Sequence, residues 1–103
     1  MITEGCVING TVENSVLANG VIVEKGAVVK DCVIMSGVRV CAGTKLDYAI
    51  VDSDTVIGEN SVIGEGKDSE KLLLIGSKLE FPANSKIEGG LMIDSANIKD
   101  YIA

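Results

Sequence analysis

Large aliphatic residues recur along this chain at intervals of six, six and five residues, so the pattern repeats every seventeen residues. Residues 13–29, 30–46 and 47–63 align without a gap, and residues 71–87 give a fourth copy after a seven-residue insertion at 64–70. A shortened copy at 4–12 precedes them, and a partial copy at 88–93 follows. Such a repeat predicts a solenoid, in which each unit buries its apolar side against its neighbours.

Two series of side chains in each repeat are separated by two residues, the spacing that places side chains on one face of a strand. The first series is large and apolar: Leu17, Ile34, Val51 and Ile75; Val23, Val40, Ile57 and Phe81; Val29, Leu46, Ile63 and Ile87. The second lies two positions earlier and is more varied: Ser15, Cys32, Ala49 and Leu73; Val21, Val38, Thr55 and Leu79; Ala27, Thr44, Ser61 and Ser85. We predict that both series fill one interior.

The chain must turn between these strands, and the residue types at two repeat positions indicate how. One position carries Gly26, Gly43, Asn60 and Asn84, and the other carries Gly20, Gly37 and Asp54 before it gives way to Lys78. Glycine and asparagine enter the left-handed backbone region most readily. Three short strands joined by two such corners and one tighter corner make a triangular coil.

The whole chain, residues 1–103, is therefore predicted to be one all-β domain, a parallel β-helix of about five coils. Residues 64–70 are expected to loop out from a corner and leave the stack of coils intact. Helix is nearly excluded for residues 5–63, which alternate with a period of two and carry a breaker every few residues. Residues 94–103 fit either a terminal strand or a short helix.

The six-residue lattice of aliphatic, glycine and small residues resembles the hexapeptide-repeat family, and this resemblance implies a left-handed coil. One stretch is similar to the C-terminal domain of bacterial glucose-1-phosphate adenylyltransferases (ADP-glucose pyrophosphorylases). The phrases that carry the resemblance are Gly5-Cys6-Val7-Ile8, Val12-Glu13-Asn14-Ser15-Val16-Leu17 and Ile50-Val51-Asp52. The irregular coils and the ending Ile98-Lys99-Asp100-Tyr101-Ile102 resemble the GlgD-type companion subunit of glycogen synthesis more than the catalytic subunit.

In that family an N-terminal nucleotidyltransferase domain makes ADP-glucose, and the β-helix serves subunit assembly and allosteric coupling. The catalytic domain is absent here, since the chain has no glycine-rich phosphate loop at a strand-to-helix junction. The opening Met1-Ile2-Thr3-Glu4-Gly5 falls in mid-domain register, which suggests a cut or re-initiated fragment. Two positions that carry activator-binding lysines in plant-type subunits correspond to Ser53 and Ala83, so no anion site is carried over from them.

Composition narrows the possible partners. The net charge of −6 argues against nucleic acid, because binding to phosphates rests on lysine and arginine. No apolar run approaches the roughly 18 residues of a membrane span, and no signal peptide opens the chain. Cys6, Cys32 and Cys41 are an odd set without metal-ligand spacing, which favours small buried thiols in a cytoplasmic protein.

The sequence predicts no catalytic, cofactor-binding or metal-binding residue. The rival enzymes with this architecture are hexapeptide acyltransferases and γ-type carbonic anhydrases, which need histidine as a general base or as a zinc ligand. This chain contains no histidine. The carboxylates Asp52, Asp54, Glu59 and Glu65 are expected to be solvated at turns. Two or three of the lysines around the insertion remain a candidate site for a phosphorylated effector.

One outward column, in contrast, has an unbroken run of aliphatic residues and is the candidate interface: Val16, Val33, Ile50, Leu74 and, next in phase, Leu91. The other two outward columns mix apolar and charged residues. β-Branched residues favour strands in any case, but a contiguous apolar strip on a protein surface more often marks a contact. We expect this face to pack against another copy, a companion subunit or the missing catalytic domain.

Two other interpretations stay open from the sequence. The first is a stand-alone structural or interaction prism. The second is the β-helix of a different sugar nucleotidyltransferase, or of a translation-initiation exchange-factor subunit that shares the architecture. The open reading frame upstream of Met1 separates them, since nucleotidyltransferase codons there favour the adenylyltransferase fragment and a stop codon favours the stand-alone prism.

Overall fold

The computed structural model describes residues 5–102, apart from the side chain of Lys67. In chain order its strands are β1 (Val7–Ile8), β2 (Thr11–Glu13), β3 (Val16–Leu17), β4 (Ile22–Val23), β5 (Val28–Lys30), β6 (Val33–Ile34), β7 (Arg39–Val40), β8 (Lys45–Asp47), β9 (Ala49–Val51), β10 (Val56–Ile57), β11 (Val62–Ile63), β12 (Leu73–Ile75), β13 (Glu80–Phe81), β14 (Lys86–Ile87) and β15 (Met92–Ile93). Two short 3₁₀ helices span Lys67–Ser69 and Ile98–Asp100, and residues 5–102 contain no α-helix.

The strands form three five-stranded parallel sheets, one on each side of the coil. Their orders are β1-β4-β7-β10-β13, β2-β5-β8-β11-β14 and β3-β6-β9-β12-β15. Each strand therefore pairs with the strand three positions later in the chain. This is the topology of a solenoid with three strands per turn. The prediction of an all-β parallel β-helix with about five coils is confirmed.

The interior consists of the two predicted series. All twelve large apolar positions are buried, and so are all twelve positions that precede them by two residues. Because alternate side chains of a strand face opposite sides, this arrangement leaves one outward residue between each inward pair. The aliphatic lattice thus sets which residues remain available at the surface.

The corners adopt left-handed backbone, as the residue types predicted. Gly26, Gly43, Asn60 and Asn84 have φ values of 79°, 71°, 55° and 63°. Lys78 also lies in this region, at φ 56°, although its longer side chain gave no such signal. The third corner, which was expected only to be tighter, turns through positive φ as well, at Asn14, Asp31 and Tyr48. The Asn14 amide donates to Asp31 Oδ1 over 2.7 Å, which links this corner to that of the next coil.

Buried hydroxyl groups link successive coils at one corner. The backbone N–H of Ser61 donates to Thr44 Oγ1 over 3.4 Å, and that of Ser85 donates to Ser61 Oγ over 3.1 Å. Each hydroxyl in turn donates to a carbonyl, Thr44 and Ser61 to Gly58 O and Ser85 to Pro82 O. The small polar members of the inward series therefore satisfy backbone groups that the apolar members cannot.

Residues 64–72 connect β11 to β12 and contain the seven extra residues. The pairing of β12 with β9 joins Leu73 to Ala49 and Ile75 to Val51, a separation of 24 residues instead of 17. The same separation holds between Ile57 and Phe81 and between Ile63 and Ile87. All three sheets continue past the connection. The first predicted coil begins at residue 4, which lies outside the described residues.

The last coil corrects one predicted position. β15 pairs with β12 so that Leu74 faces Met92 and Ile75 faces Ile93, which is 18 residues and not 17. Leu91 consequently occupies an inward position and packs partly buried against the core, while Met92 takes the outward place. The extra residue is accommodated at the Gly89–Gly90 corner, where Gly90 has φ 78°. The next-in-phase assignment of Leu91 is therefore wrong.

The segment after β15 covers the end of the prism with a turn and a short 3₁₀ helix. Asp94 O accepts the N–H of Ile98 over 2.9 Å, and Asp94 Oδ1 accepts the N–H groups of Ala96 and Asn97. Ile98 and Ile102 pack against the core. Of the two options left open for residues 94–103, the short helix is the one found, in 3₁₀ form; residue 103 lies outside the described residues.

Candidate interaction surface

One outward column is apolar on every coil that the structure describes. The sheet β3-β6-β9-β12-β15 carries it, and its side chains pair in register from coil to coil. We call it the apolar strip: Val16, Val33, Ile50, Leu74 and Met92. The structure brings four of the predicted interface residues together and replaces the fifth, Leu91, with Met92.

Exposure along the apolar strip is greatest at its two ends. Val16 is 43% exposed and Met92 is 65% exposed, whereas Val33, Ile50 and Leu74 between them are half-buried. The middle residues lose exposure because each lies against the same column of the coil above and the coil below. The result is a continuous apolar surface along the length of the prism.

The other two faces differ in kind. One outward column, in register, contains Val7, Ile22, Arg39, Val56 and Glu80. The other contains Thr11, Val28, Lys45, Val62 and Lys86. On the first, Arg39 forms an ion pair with Glu24, whose second oxygen accepts the Ala42 N–H over 3.1 Å. Charges interrupt both faces, so neither offers a dry contact across all five coils.

The apolar strip deepens into a groove of about 340 Å³ over the last three coils. Its floor is formed by Ile50, Leu74 and Met92, with Met35 at one end. Gly76 opens the groove, because the corresponding positions of neighbouring coils carry the larger side chains of Asp52 and Asp94. Both carboxylates are exposed and line the groove.

Sequence reasoning missed the residues that shape this groove. Met35, Asp52, Gly76 and Asp94 follow the inward residues of their coils by one position and form a column of their own. Asp52 was interpreted as a solvated turn residue, and its exposure agrees with that. The available signal was a methionine, a carboxylate, a glycine and a second carboxylate in succession at this one repeat position.

The lysines around the insertion are the candidate site for a phosphorylated effector. A shallow surface depression there is lined by Lys86 together with Glu65 and Glu88. Glu65 Oε2 also accepts the Gly89 N–H over 3.1 Å, which ties the connection to the last corner. The side chain of Lys67 lies outside the description. Among the described groups, the carboxylates offset the positive charge that a phosphorylated effector requires, so this site gains no support.

The cysteines are packed as small apolar residues. Burial raises the pKa of the Cys32 thiol to about 11, and the thiol donates to Lys30 O over 3.1 Å. Burial, with the Glu24 carboxylate as a smaller cause, also raises the pKa of Cys41. Among the residues that the structure describes, no three histidine, cysteine or acidic side chains are grouped to hold a metal ion. Thiols with raised pKa values are poor nucleophiles and poor metal ligands.

A family model described as GlmU-like, C-terminal hexapeptide, matches residues 1–78 of this chain. The chain belongs to this family. As a GlmU-like hexapeptide domain it has the coil architecture that the sheets display. No solved structure matches the chain significantly.

The curated relatives of this GlmU-like domain are larger enzymes. A glucose-1-phosphate adenylyltransferase of Corynebacterium jeikeium is 46% identical over 65 residues, which is 62% of this chain and 16% of that protein. Glucose-1-phosphate adenylyltransferases of Bacillus thuringiensis and Bacillus mycoides are 41% identical over 75 residues, 73% of this chain and 20% of theirs. The chain thus spans at most a fifth of the length of these relatives, and it is similar to one part of each. Within residues 5–102, no helix has the length and apolar character to cross a membrane.

Proposed function

We propose that this chain is the C-terminal oligomerisation and regulatory β-helix of a glucose-1-phosphate adenylyltransferase-like protein of glycogen biosynthesis. The observation that carries the proposal is the similarity of about two-thirds of the chain to adenylyltransferases, joined to a fold in which the described residues form no catalytic constellation. In this proposal the domain works in the cytoplasm, attached to or assembled with a nucleotidyltransferase domain.

The proposed role needs a rigid body and a contact face, and two features of the described residues support it. Rigidity comes from three continuous parallel sheets around a close-packed aliphatic core, which leave few soft torsions along the prism axis. The contact face is the apolar strip, which runs across all five coils. A partner that packs on the strip in one orientation is then held at a fixed distance and angle from anything else bound to the prism.

The proposal assigns no chemical step to this chain. It has no histidine for general base catalysis or zinc ligation, and burial raises the pKa values of Cys32 and Cys41. We expect the isolated chain to show no adenylyltransferase, acyltransferase or carbonic anhydrase turnover. Assignment to the GlgD-type companion subunit is a part of the proposal that rests on the resemblance alone.

The second candidate is the β-helix of another sugar nucleotidyltransferase, and the family model favours it in one respect. That model carries the name GlmU, whereas the curated relatives are named glucose-1-phosphate adenylyltransferases, so the name of the family alone does not assign the parent protein. The stand-alone prism is a third candidate. The curated relatives given above favour the adenylyltransferase parent over both.

In the deciding experiment, the complete genomic reading frame that contains this chain is expressed, and the purified protein is assayed. Production of ADP-glucose from ATP and glucose 1-phosphate, alone or on addition of a catalytic subunit, supports the proposal. Activity with a different sugar phosphate and nucleotide assigns the second candidate. A reading frame that contains only this chain, with no effect on a catalytic subunit, overturns both.

A further inference from the structure

The groove has an adaptable apolar floor. Met92 is 65% exposed and Met35 is 39% exposed, and both have flexible thioether side chains. Methionine is over-used at surfaces that accommodate apolar side chains of varied shape, because its unbranched chain adjusts to fill gaps. Gly76 adds depth between them. These features favour a partner that inserts large apolar side chains.

The edge of the groove carries negative charge that nothing in its lining offsets. Asp52 and Asp94 are exposed, and the described residues that line the groove include no lysine or arginine. The hydrogen bonds that the structure gives these carboxylates come from neutral backbone N–H groups: Ser53 to Asp52 Oδ1 over 2.7 Å, and Ala96 and Asn97 to Asp94 Oδ1. The carboxylates are held in place and keep their charge available to a partner.

A second copy of this chain suits the groove poorly. In a two-fold contact each molecule uses the same patch, so an assembly centred on the groove brings two sets of the same carboxylates together. Like charges at an interface are destabilising. The charge pattern therefore favours a partner segment with positive charge beside its apolar side chains.

The backbone around the groove selects the conformation of that segment. The N–H groups of Asp52, Leu74 and Gly76 donate to carbonyls of the next coil, to Ile75 O, Leu91 O and Ile93 O over 2.7–2.9 Å. These donors are therefore not available to pair with an extended peptide laid across this face as an added strand. At the edge strand β15, the Asp94 N–H donates to Asn97 Oδ1 over 2.8 Å and Met92 O accepts the Asn97 amide over 2.9 Å, so these groups are paired as well. A helix satisfies its own backbone and presents only side chains, so it suits this face better than an extended strand.

We infer that the groove binds a basic amphipathic helix of a partner protein or domain, with apolar side chains on Met35, Ile50, Leu74 and Met92 and lysine or arginine against Asp52 and Asp94. This inference rests on the proposed function, since it names the chemistry of the partner that the contact face takes. It specifies the charge and the conformation of the partner segment that binds to that face.

The test uses the complete chain and a synthetic helical peptide about 18 residues, or five turns, long. Leucine occupies every third or fourth position of the peptide, and lysine occupies the opposite face. The matched peptide carries glutamate in place of every lysine. Binding is measured by fluorescence anisotropy, and the site is mapped by amide chemical shifts. We expect the lysine peptide alone to bind, with the largest shifts around Ile50, Leu74 and Met92.

Charge variants separate the groove from the overall negative charge of the chain. The double variant Asp52→Asn/Asp94→Asn should weaken binding by about three- to tenfold, since exposed charge pairs contribute little individually. The control Asp68→Asn/Glu88→Gln removes two exposed carboxylates away from the groove and should leave the affinity unchanged. Equal weakening by both double variants, equal binding of the glutamate peptide, or shifts centred on another face each overturn the inference.

The oligomeric state of the chain distinguishes this inference from the proposed function. If Leu74→Glu lowers the mass of the chain alone, a second copy covers the groove and the helix inference fails, while the contact face stands. If the helix binds and the parent protein has no nucleotidyltransferase activity, the inference holds and the proposed function fails.

Discussion

Asn60 lies directly over Gly43 on the next coil, and both residues turn the chain with left-handed backbone. A Cβ atom added to Gly43 would overlap the side-chain oxygen of Asn60. The φ of 71° at Gly43 is itself a conformation that side chains with a Cβ rarely adopt. The backbone shape therefore favours glycine at this corner, and an added Cβ would in addition displace the Asn60 side chain.

Gly43→Val should lower the free energy of unfolding by at least about 1 kcal/mol, measured by urea denaturation. A double-mutant cycle with Asn60→Gly separates the two reasons, because that change removes the overlapping side chain and leaves the backbone requirement. We expect Gly43→Val to cost less in the Asn60→Gly background. An equal cost in both backgrounds would show that stacking contributes nothing.

The conformation of these corners could be predicted from the sequence for a local reason. In a solenoid each side chain meets the equivalent position of the next coil, so a column in the alignment is also a column in space. Gly26, Gly43, Asn60 and Asn84 could therefore be assigned to one corner from the repeat alone. The inward series followed from the same regularity.

The register of the last coil and the depth of the groove could not be predicted from the repeat. Leu91, Met92 and Ile93 are all apolar, so hydrophobicity alone does not reveal that the corner before them takes one extra residue. The groove depends on an absent side chain at Gly76 and on its neighbours in space. Depth of this kind is a property of packing, which a repeat pattern does not encode.

Removal of residues 64–70 should leave the prism folded. The deletion gives the connection from Ile63 to Leu73 the same length as that from Leu46 to Ala49. The free energy of closing the connection changes little, since loop-closure entropy varies slowly with length. We expect a retained β-type circular dichroism spectrum and cooperative thermal unfolding. Complete loss of the spectrum would contradict the proposed phasing of the coils.

Ser61→Ala should cost about 1–3 kcal/mol of unfolding free energy, because the buried Ser85 N–H then loses its acceptor. The hydroxyl of Ser61 also donates to Gly58 O over 2.9 Å, a bond lost in the same change. Ser77→Ala is the matched control, since Ser77 is exposed. It should change stability by less than about 0.5 kcal/mol. Equal effects of the two substitutions would show that the buried hydroxyl group does not stabilise the stacking of the coils.

Alkaline pH should destabilise the fold through Cys32. Burial raises the pKa of this thiol from 9.0 to about 11, so between these values the folded chain keeps a proton that the unfolded chain has lost. The contribution is complete below about pH 9 and disappears as the pH rises through about 11. It amounts to about 2–3 kcal/mol at most, from two pKa steps of 1.36 kcal/mol each.

The comparison of Cys32→Ala with the parent chain isolates this titration from those of lysine and tyrosine. The difference in their unfolding free energies should narrow by that amount between about pH 9 and about pH 11, the range that the pKa shift of Cys32 defines. Cys32 should also be protected from a thiol reagent in the folded chain and react only after the chain unfolds. A constant difference across this range, or rapid native labelling of Cys32, would contradict the burial that the structure assigns to it.

The apolar strip supplies the last prediction, which concerns assembly. Val33→Glu and Ile50→Glu place a charge on a face that we propose to be covered by a partner segment. In the complete parent protein assembled with its partner subunit, each should lower the mass found by light scattering and retain the circular dichroism spectrum. Val62→Glu is the matched control, because Val62 is 47% exposed and faces outward on a different sheet. Met92→Glu should behave like Ile50→Glu, whereas Leu91→Glu should destabilise the fold, since Leu91 packs against the core. An unchanged mass of the assembled parent protein in all three strip variants would place the interface on another face.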